Sequence, residues 1–282
     1  MNPRKSSMRK AKNVLAMILA VCAAAVGIGA LFWILFVVLH RGIGALDWDF
    51  FTKMPTPPGV SGGGLANALV GTLLVTLFAS LIAVPVGLLA GIYLAEFAPS
   101  GKFLGTVRFS VNMLMSVPSI IVGLFVWGSI VVATGHFSGW AGAVSLAVIM
   151  LPVVTRTTED LLNLVPNQLR ESVLAMGTPH WRSMGVIFTA ARNGLVTGVL
   201  LAVARVSGET APLLFTALNS PYWPQGMSRP TANLPVTIYN YAMSPYPDWK
   251  AKAWAASLVI TTLVLVLSLS ARFFFKDKEA RR

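Results

Sequence analysis

The chain has 282 residues, of which 55% are hydrophobic and 11% charged, with a mean hydropathy of +0.71. A soluble domain carries about 25% charged residues, so this composition excludes an ordinary soluble globule and a disordered chain alike. The charges are unbalanced, 22 Lys and Arg against 10 Asp and Glu for a net of +12, and in a membrane chain the placement of such residues carries more meaning than their sum.

The N-terminus opens on a basic tail over 1–13 with Arg4, Lys5, Arg9, Lys10 and Lys12. The uncharged run Asn13–Leu39 that follows has 27 residues. That exceeds the roughly 7–15 residues of a signal-peptide core and meets the roughly 20 needed to cross a bilayer. It predicts a first spanning helix over 14–39, then a loop over 40–64 that ends in a stretch rich in Pro and Gly, Met54–Gly64. A second span is predicted over 65–95 with Pro85 inside it, which membrane helices tolerate. Residues 109–155 hold no Asp, Glu, Lys or Arg and suffice for two spans. Gly135-His136-Phe137-Ser138-Gly139 divides them into a third helix over 109–134, kinked near Pro118, and a short fourth over 140–155. The segment 156–193 is different. It carries Arg156, Glu159, Asp160, Arg170, Glu171, Arg182 and Arg192, and is amphipathic and too polar to span. A fifth span is predicted over 194–218, a loop rich in Pro and aromatics over 219–252, a sixth span over 253–275 and a basic tail over 276–282.

Six spans place both termini on one side. That side then holds 16 of the 22 basic residues, in the N-terminal tail, the 96–108 connection, the 156–193 segment and the end of the chain from Arg272. By the positive-inside rule this face is cytoplasmic. The fold class read from the pattern is all-α, a polytopic membrane protein with six transmembrane helices, and the spans imply lipid as their solvent.

No catalytic or metal constellation is visible. Cys22 stands alone, and His40, His136 and His180 fit no ligand spacing. Gly62-Gly63-Gly64 lacks the Lys of a nucleotide-cradling loop, so any ATP hydrolysis must come from another polypeptide. The basic excess is an orientation signal and implies no nucleic acid.

Two stretches carry functional content. The first, Ala204–Leu214, places Arg205 and Glu209 inside the predicted fifth span. A charge at a helix centre costs about 2.5–3.5 kcal/mol on insertion scales. Four residues apart, the two share a helix face and can pair. The pair is either a self-neutralising device or part of a translocation path, with Ser207 and Thr210 beside it. Pro212 cannot donate to the carbonyl of Gly208, so the helix should break at these two residues. Broken helices at membrane depth line cavities.

The second stretch is Glu171–Ile187. It reads as an amphipathic helix stopped at Gly177, then Pro179 and a second short helix. Glu171, Gly177 and Ile187 fall at the spacing of the cytoplasmic signature of ABC-importer permeases, with Ser172 and Val173 in place of its two Ala and Thr189-Ala190 in place of its closing Leu-Pro. Ser207–Ala217, Ala232–Tyr239 and Ala242–Pro245 are similar to segments of the permeases of phosphate-specific ABC importers. The resemblance covers roughly 65–275. It implies a type I ABC-importer permease fold in which 156–193 forms coupling helices that dock on an ATPase through Glu171, Gly177 and Ile187. It also implies a bacterial inner (plasma) membrane, a second homologous permease, two ATPase subunits that hold ATP and Mg, an extracytoplasmic phosphate-binding protein, and inorganic phosphate as substrate, with no cofactor on this chain. By chemistry alone, another oxyanion such as sulfate, molybdate or phosphonate, or an ATP-independent secondary transporter, stays open.

Overall fold

The computed structural model describes residues 3–99 and 101–274, and every regular element among them is helical. The expected tail over 276–282 lies outside the described residues, as do residues 1–2 of the N-terminal tail and residue 275 of the predicted sixth span. The helices are α1 (Pro3–Ile43), α2 (Trp48–Thr52), α3 (Ala66–Ile92), α4 (Lys102–Ser116), α5 (Ser119–Val126), α6 (Val132–Thr134), α7 (Gly139–Asn163), α8 (Asn167–Ala175), α9 (His180–Val206), α10 (Ala211–Thr216), α11 (Leu234–Ala242) and α12 (Pro247–Phe274). Two π turns join them, Tyr93–Phe97 after α3 and Trp127–Val131 between α5 and α6. Five helices are long and apolar enough to cross a membrane, and α4 with α5–α6 makes a sixth if that bent pair counts as one span.

Side-chain chemistry sets several of the boundaries. Asp47 starts α2 by accepting from the Phe50 amide at 2.7 Å, Ser138 starts α7 by accepting from Ala141 at 3.1 Å, and Asn233 starts α11 by accepting from Val236 at 3.0 Å. Gly135 closes α6 at φ +74.

Four of the predicted elements take a different form. The third span is not a kinked helix: α4 and α5 meet at 98°. Pro118 has no N–H and holds Val117 extended at ψ 129, so the helix stops and restarts. The fourth span does not stop at 155. Helix α7 runs on to Asn163 because Arg156 pairs at helical spacing with Glu159 (3.5 Å) and Asp160 (3.0 Å), and such charges continue a helix instead of ending it. The second short helix expected after Gly177 is the first part of the 27-residue α9. The fifth span expected over 194–218 is therefore α9, interrupted after Val206 and resumed as α10.

Helices α3 and α7 form the centre of the bundle. On α3 the residues at four-residue steps, Val75, Ala79, Ala83, Gly87 and Gly91, are all buried. Side chains this small let two helix backbones approach closely. A Cβ on Gly91 would lie 2.5 Å from Thr158 Cβ and 2.7 Å from the Thr155 carbonyl of α7. Ala143, Leu146, Ala147, Met150 and Val154 of α7 complete that face, and Val206, Leu213 and Ala217 close the same core. Helix α1 is peripheral. Its apolar window is 0% buried, as suits a helix facing lipid, and its end docks on α12 where Arg41 lies 5.2 Å over the Trp254 ring.

Replacing Gly91 by Val should force α3 and α7 apart, at a cost of about 1–3 kcal/mol from overpacking. The measurement is the thermal midpoint of the detergent-solubilised protein. A midpoint equal to wild type would show that the contact is not close-packed.

Candidate functional site

The first site is built where α9 ends. Ser207 donates its amide to the Val203 carbonyl at 3.0 Å, whereas Gly208 and Glu209 bond three residues back, to Arg205 and Val206 at 3.4 and 3.1 Å. The last turn thus tightens before the chain leaves the helix. Pro212 lies in the first turn of α10, where its missing N–H costs nothing. Ser207 is buried and its hydroxyl donates to the Ala204 carbonyl at 2.8 Å, while Thr210 is the N-cap residue of α10 and its side chain makes no capping bond.

Arg205 and Glu209 both line a cavity of about 230 Å³. Its other walls are Leu114 and Met115 at the end of α4, Val117 and Pro118 at the break, and Ile149 and Val153 in the middle of α7. The site therefore lies at mid-depth of the bundle. The sequence expectation of a pair four apart on one helix is corrected here, because the helix ends at Val206 between the two residues. Among the described residues, neither side chain makes an ion pair. Arg205 is exposed and Glu209 half-exposed.

The second site is the knob formed by α8 and the turn into α9. Gly177 sits at φ +76, in the left-handed region that favours glycine, and its amide donates to the Leu174 carbonyl at 2.9 Å. Glu171 is exposed. Ile187 is not on the surface: it is 2% exposed and packs with Leu162, Val165 and Leu195. Of the three residues the resemblance marks, Glu171 and Gly177 share the knob, and Ile187 seats α9 beneath it. The large exposed side chains there are Leu174, Met176 and Trp181. The sequence reading follows the signature positions and gives no docking role to the apolar residues between them.

It also missed the ion pairs beneath the knob. Arg170 on α8 donates to Glu96 at 2.7 Å, and Arg108 on α4 donates through Nε to Glu159 on α7. The available signal was an acidic residue shortly after each of two uncharged runs, Glu96 after 54–95 and Glu159 after 109–155.

At the opposite end, residues of 55–67, 219–222 and 237–249 enclose a cavity of about 700 Å³. Tyr241 stacks on Trp249 at 4.3 Å, and burial pushes its hydroxyl up to about 12. Lys252, nearly buried, donates to Thr56 Oγ1 and to the Gly62 carbonyl and so ties the Pro- and Gly-rich loop to α12. Lys53 is held above the ordinary lysine range by its hydrogen bond to Asp49. No cluster of His, Cys, Asp or Glu among the described residues could hold a metal.

The family described as "Binding-protein-dependent transport system inner membrane component" matches residues 87–279. The phosphate transport system permease protein PstA of Yersinia pestis is 47% identical over 277 residues, 98% of this chain and 94% of that protein. The PstA protein of Haemophilus influenzae is 48% identical, with 96% of each chain covered. That of Mycobacterium leprae is 36% identical, covering 95% of this chain and 90% of its own. Among solved structures, an inward-facing conformation of the MetNI methionine ABC transporter superposes with a TM-score of 0.63 at 23% identity, covering 75% of this chain and 94% of that one. That likeness concerns the fold, which is the type I ABC-importer permease fold. The chain belongs to the family of binding-protein-dependent transport system inner membrane components and groups with its PstA-type members.

Proposed function

We infer that this chain is the transmembrane permease subunit of an ATP-driven inorganic phosphate importer, forming half of the translocation path. The observation that carries this reading is the 47% identity across 98% of the chain to a protein named as a phosphate transport permease. The geometry of the mid-depth cavity supports it. A guanidinium offers a fork of donors that matches two oxygens of an oxyanion, and Arg205 faces the cavity with those donors unused. Glu209 on the same cavity opposes an anion. Attraction and repulsion side by side make a modest site, which lets an ion leave as readily as it enters. Ser207 and Thr210 belong to the same break and add hydroxyls beside the path.

The exposure of Arg205 supports a second permease subunit. A guanidinium facing lipid at mid-depth is costly, so this face needs protein over it. The knob, with Glu171 and exposed Leu174, Met176 and Trp181, is the docking surface for one of two ATPase subunits, and Gly177 provides its turn. ATP and Mg belong to those subunits. The end that carries α11 and the 55–67 loop receives the extracytoplasmic phosphate-binding protein. By the positive-inside rule the 156–193 segment and both termini are cytoplasmic.

The test is reconstitution with the partner permease, the ATPase and the binding protein in proteoliposomes. ATP should drive uptake of labelled phosphate, and excess sulfate should not compete. Competition by sulfate would assign the path to another oxyanion, and uptake without ATP would overturn the importer reading. Arg205→Gln should assemble normally and lose about tenfold or more in uptake, since a charge-assisted hydrogen bond is worth about 1.5–3 kcal/mol. Wild-type uptake in that variant would remove Arg205 from the path.

Gly177→Val places a β-branched residue at φ +76 and should distort the docking turn. Co-purification with the ATPase should fall sharply. Full retention of the ATPase would show that the turn is not part of the interface.

A further inference from the structure

Two carboxylates lie almost out of water at the α8 end of the bundle. The side chain of Glu96 is 6% exposed and that of Glu159 3%. A carboxylate so placed is costly unless an opposite charge and hydrogen bonds meet it. Each is met by an arginine from a different helix. Glu96 sits in the π turn that ends α3 and accepts from Nε and Nη2 of Arg170 on α8, at 3.1 and 2.7 Å. The same guanidinium donates to the Leu162 and Val165 carbonyls at the end of α7, at 2.7 and 2.8 Å, and to Asn167 Oδ1 at 3.0 Å. One side chain thus joins three helices.

Helix α8 has nine residues, none of them fully buried, and its apolar seat is Leu169 against the cluster of Leu162, Val165 and Ile187. A guanidinium with all three nitrogens engaged has a fixed orientation, unlike a long side chain making a single contact. From α7 a second pair leads on: Glu159 accepts from Arg108 of α4. Helix α4 then ends at Leu114 and Met115, which wall the Arg205–Glu209 cavity. Two sets of polar contacts, joined through the last turns of α7, therefore link α8 to the helix that walls the cavity.

We propose that Arg170 is a positioning residue that carries movement of α8 into α3 and α7, with the Arg108–Glu159 pair passing it on to α4 and so to the cavity wall. This rests on the importer reading, because it supposes that an ATPase moves α8. Arg170 is distinct from the docking surface: its side chain is 19% exposed and turned inward, whereas Leu174, Met176 and Trp181 point out. Its loss should therefore separate transport from hydrolysis and leave binding of the ATPase intact.

The experiment uses the full reconstituted complex. Wild type comes first. If it shows no ATP-driven uptake of labelled phosphate, the importer reading fails before any variant is considered. In a complex that transports, Arg170→Ala should keep its ATPase and hydrolyse ATP at near the wild-type rate. Phosphate carried per ATP should drop about tenfold, a typical size for a coupling free energy. Glu96→Gln is nearly isosteric and should give a smaller drop of the same kind. It decides the matter if Arg170→Ala does not assemble. Arg170→Lys, which keeps the charge and loses the fork, should fall between wild type and Arg170→Ala. The Glu96→Gln/Arg170→Ala double variant should be no worse than Arg170→Ala alone, since the two residues act through one contact. An unchanged ratio of phosphate to ATP in both single variants would overturn the proposal. So would uptake and hydrolysis falling in parallel, which is the mark of a merely structural arginine.

Discussion

The close approach of α3 to α7 is the constraint on which the rest of the molecule depends. Along its buried four-residue stripe, Val75 to Gly91, one helix presents nothing larger than valine, and the other fills the space with Leu146, Met150 and Val154. In a bilayer no hydrophobic force draws two apolar helices together, so close van der Waals packing has to do it. The pair then fixes both ends of the bundle. At one end Thr72 accepts from the Leu234 amide at 2.8 Å, and the amides of Gly139 and Trp140 reach the Arg229 and Met227 carbonyls at 3.1 and 2.9 Å. This holds the 219–233 segment down on the helices. At the other end the π turn after α3 carries Glu96 and α7 carries Glu159, which arginines of α8 and α4 meet.

The second constraint is that the hydrocarbon offers a broken backbone no partner. The chain breaks twice at mid-depth, at Val117–Pro118 and at Ser207–Thr210, and both breaks lie on one cavity. Neither break would be tolerable facing lipid alone. Together they make the only kind of place at this depth where polar backbone and a polar solute can share a surface. Pro118 and Pro212, one at each break, remove amides that would otherwise need acceptors.

Much of this was legible in the sequence, and what was not has a physical reason. Hydropathy finds the apolar runs, and the polar stretch Arg205–Thr210 with Pro212 marks a break in a span from local chemistry alone. Hydropathy cannot say where a helix ends once charges appear, because charges at helical spacing extend helices. That is why α7 passes Thr155 to reach Asn163, and why α9 starts at His180 although Arg182 and Arg192 lie within it. Residue-to-residue partners across long separations are not written locally. Nothing around Arg170 announces Glu96, 74 residues earlier in the chain. Likewise the far wall of the cavity, with Leu114, Ile149 and Val153, reads in sequence as ordinary apolar helix.

The charges of this chain fall into two kinds, and the difference bears on what each does. Glu96 and Glu159 are buried and paired, as a carboxylate must be if it is to join one helix to another. Arg205 and Glu209 share a cavity at mid-depth and are paired with nothing among the described residues. An internal partner would have been easy to supply, since the two lie only four residues apart. The helix instead ends between them, at Val206, and separates them onto different backbone segments. Leaving a charge unpaired at this depth costs several kcal/mol unless something outside the chain meets it. A structural role gains nothing from that cost. The role proposed above, a surface completed by a second subunit across which an anion is held for a moment and released, requires it.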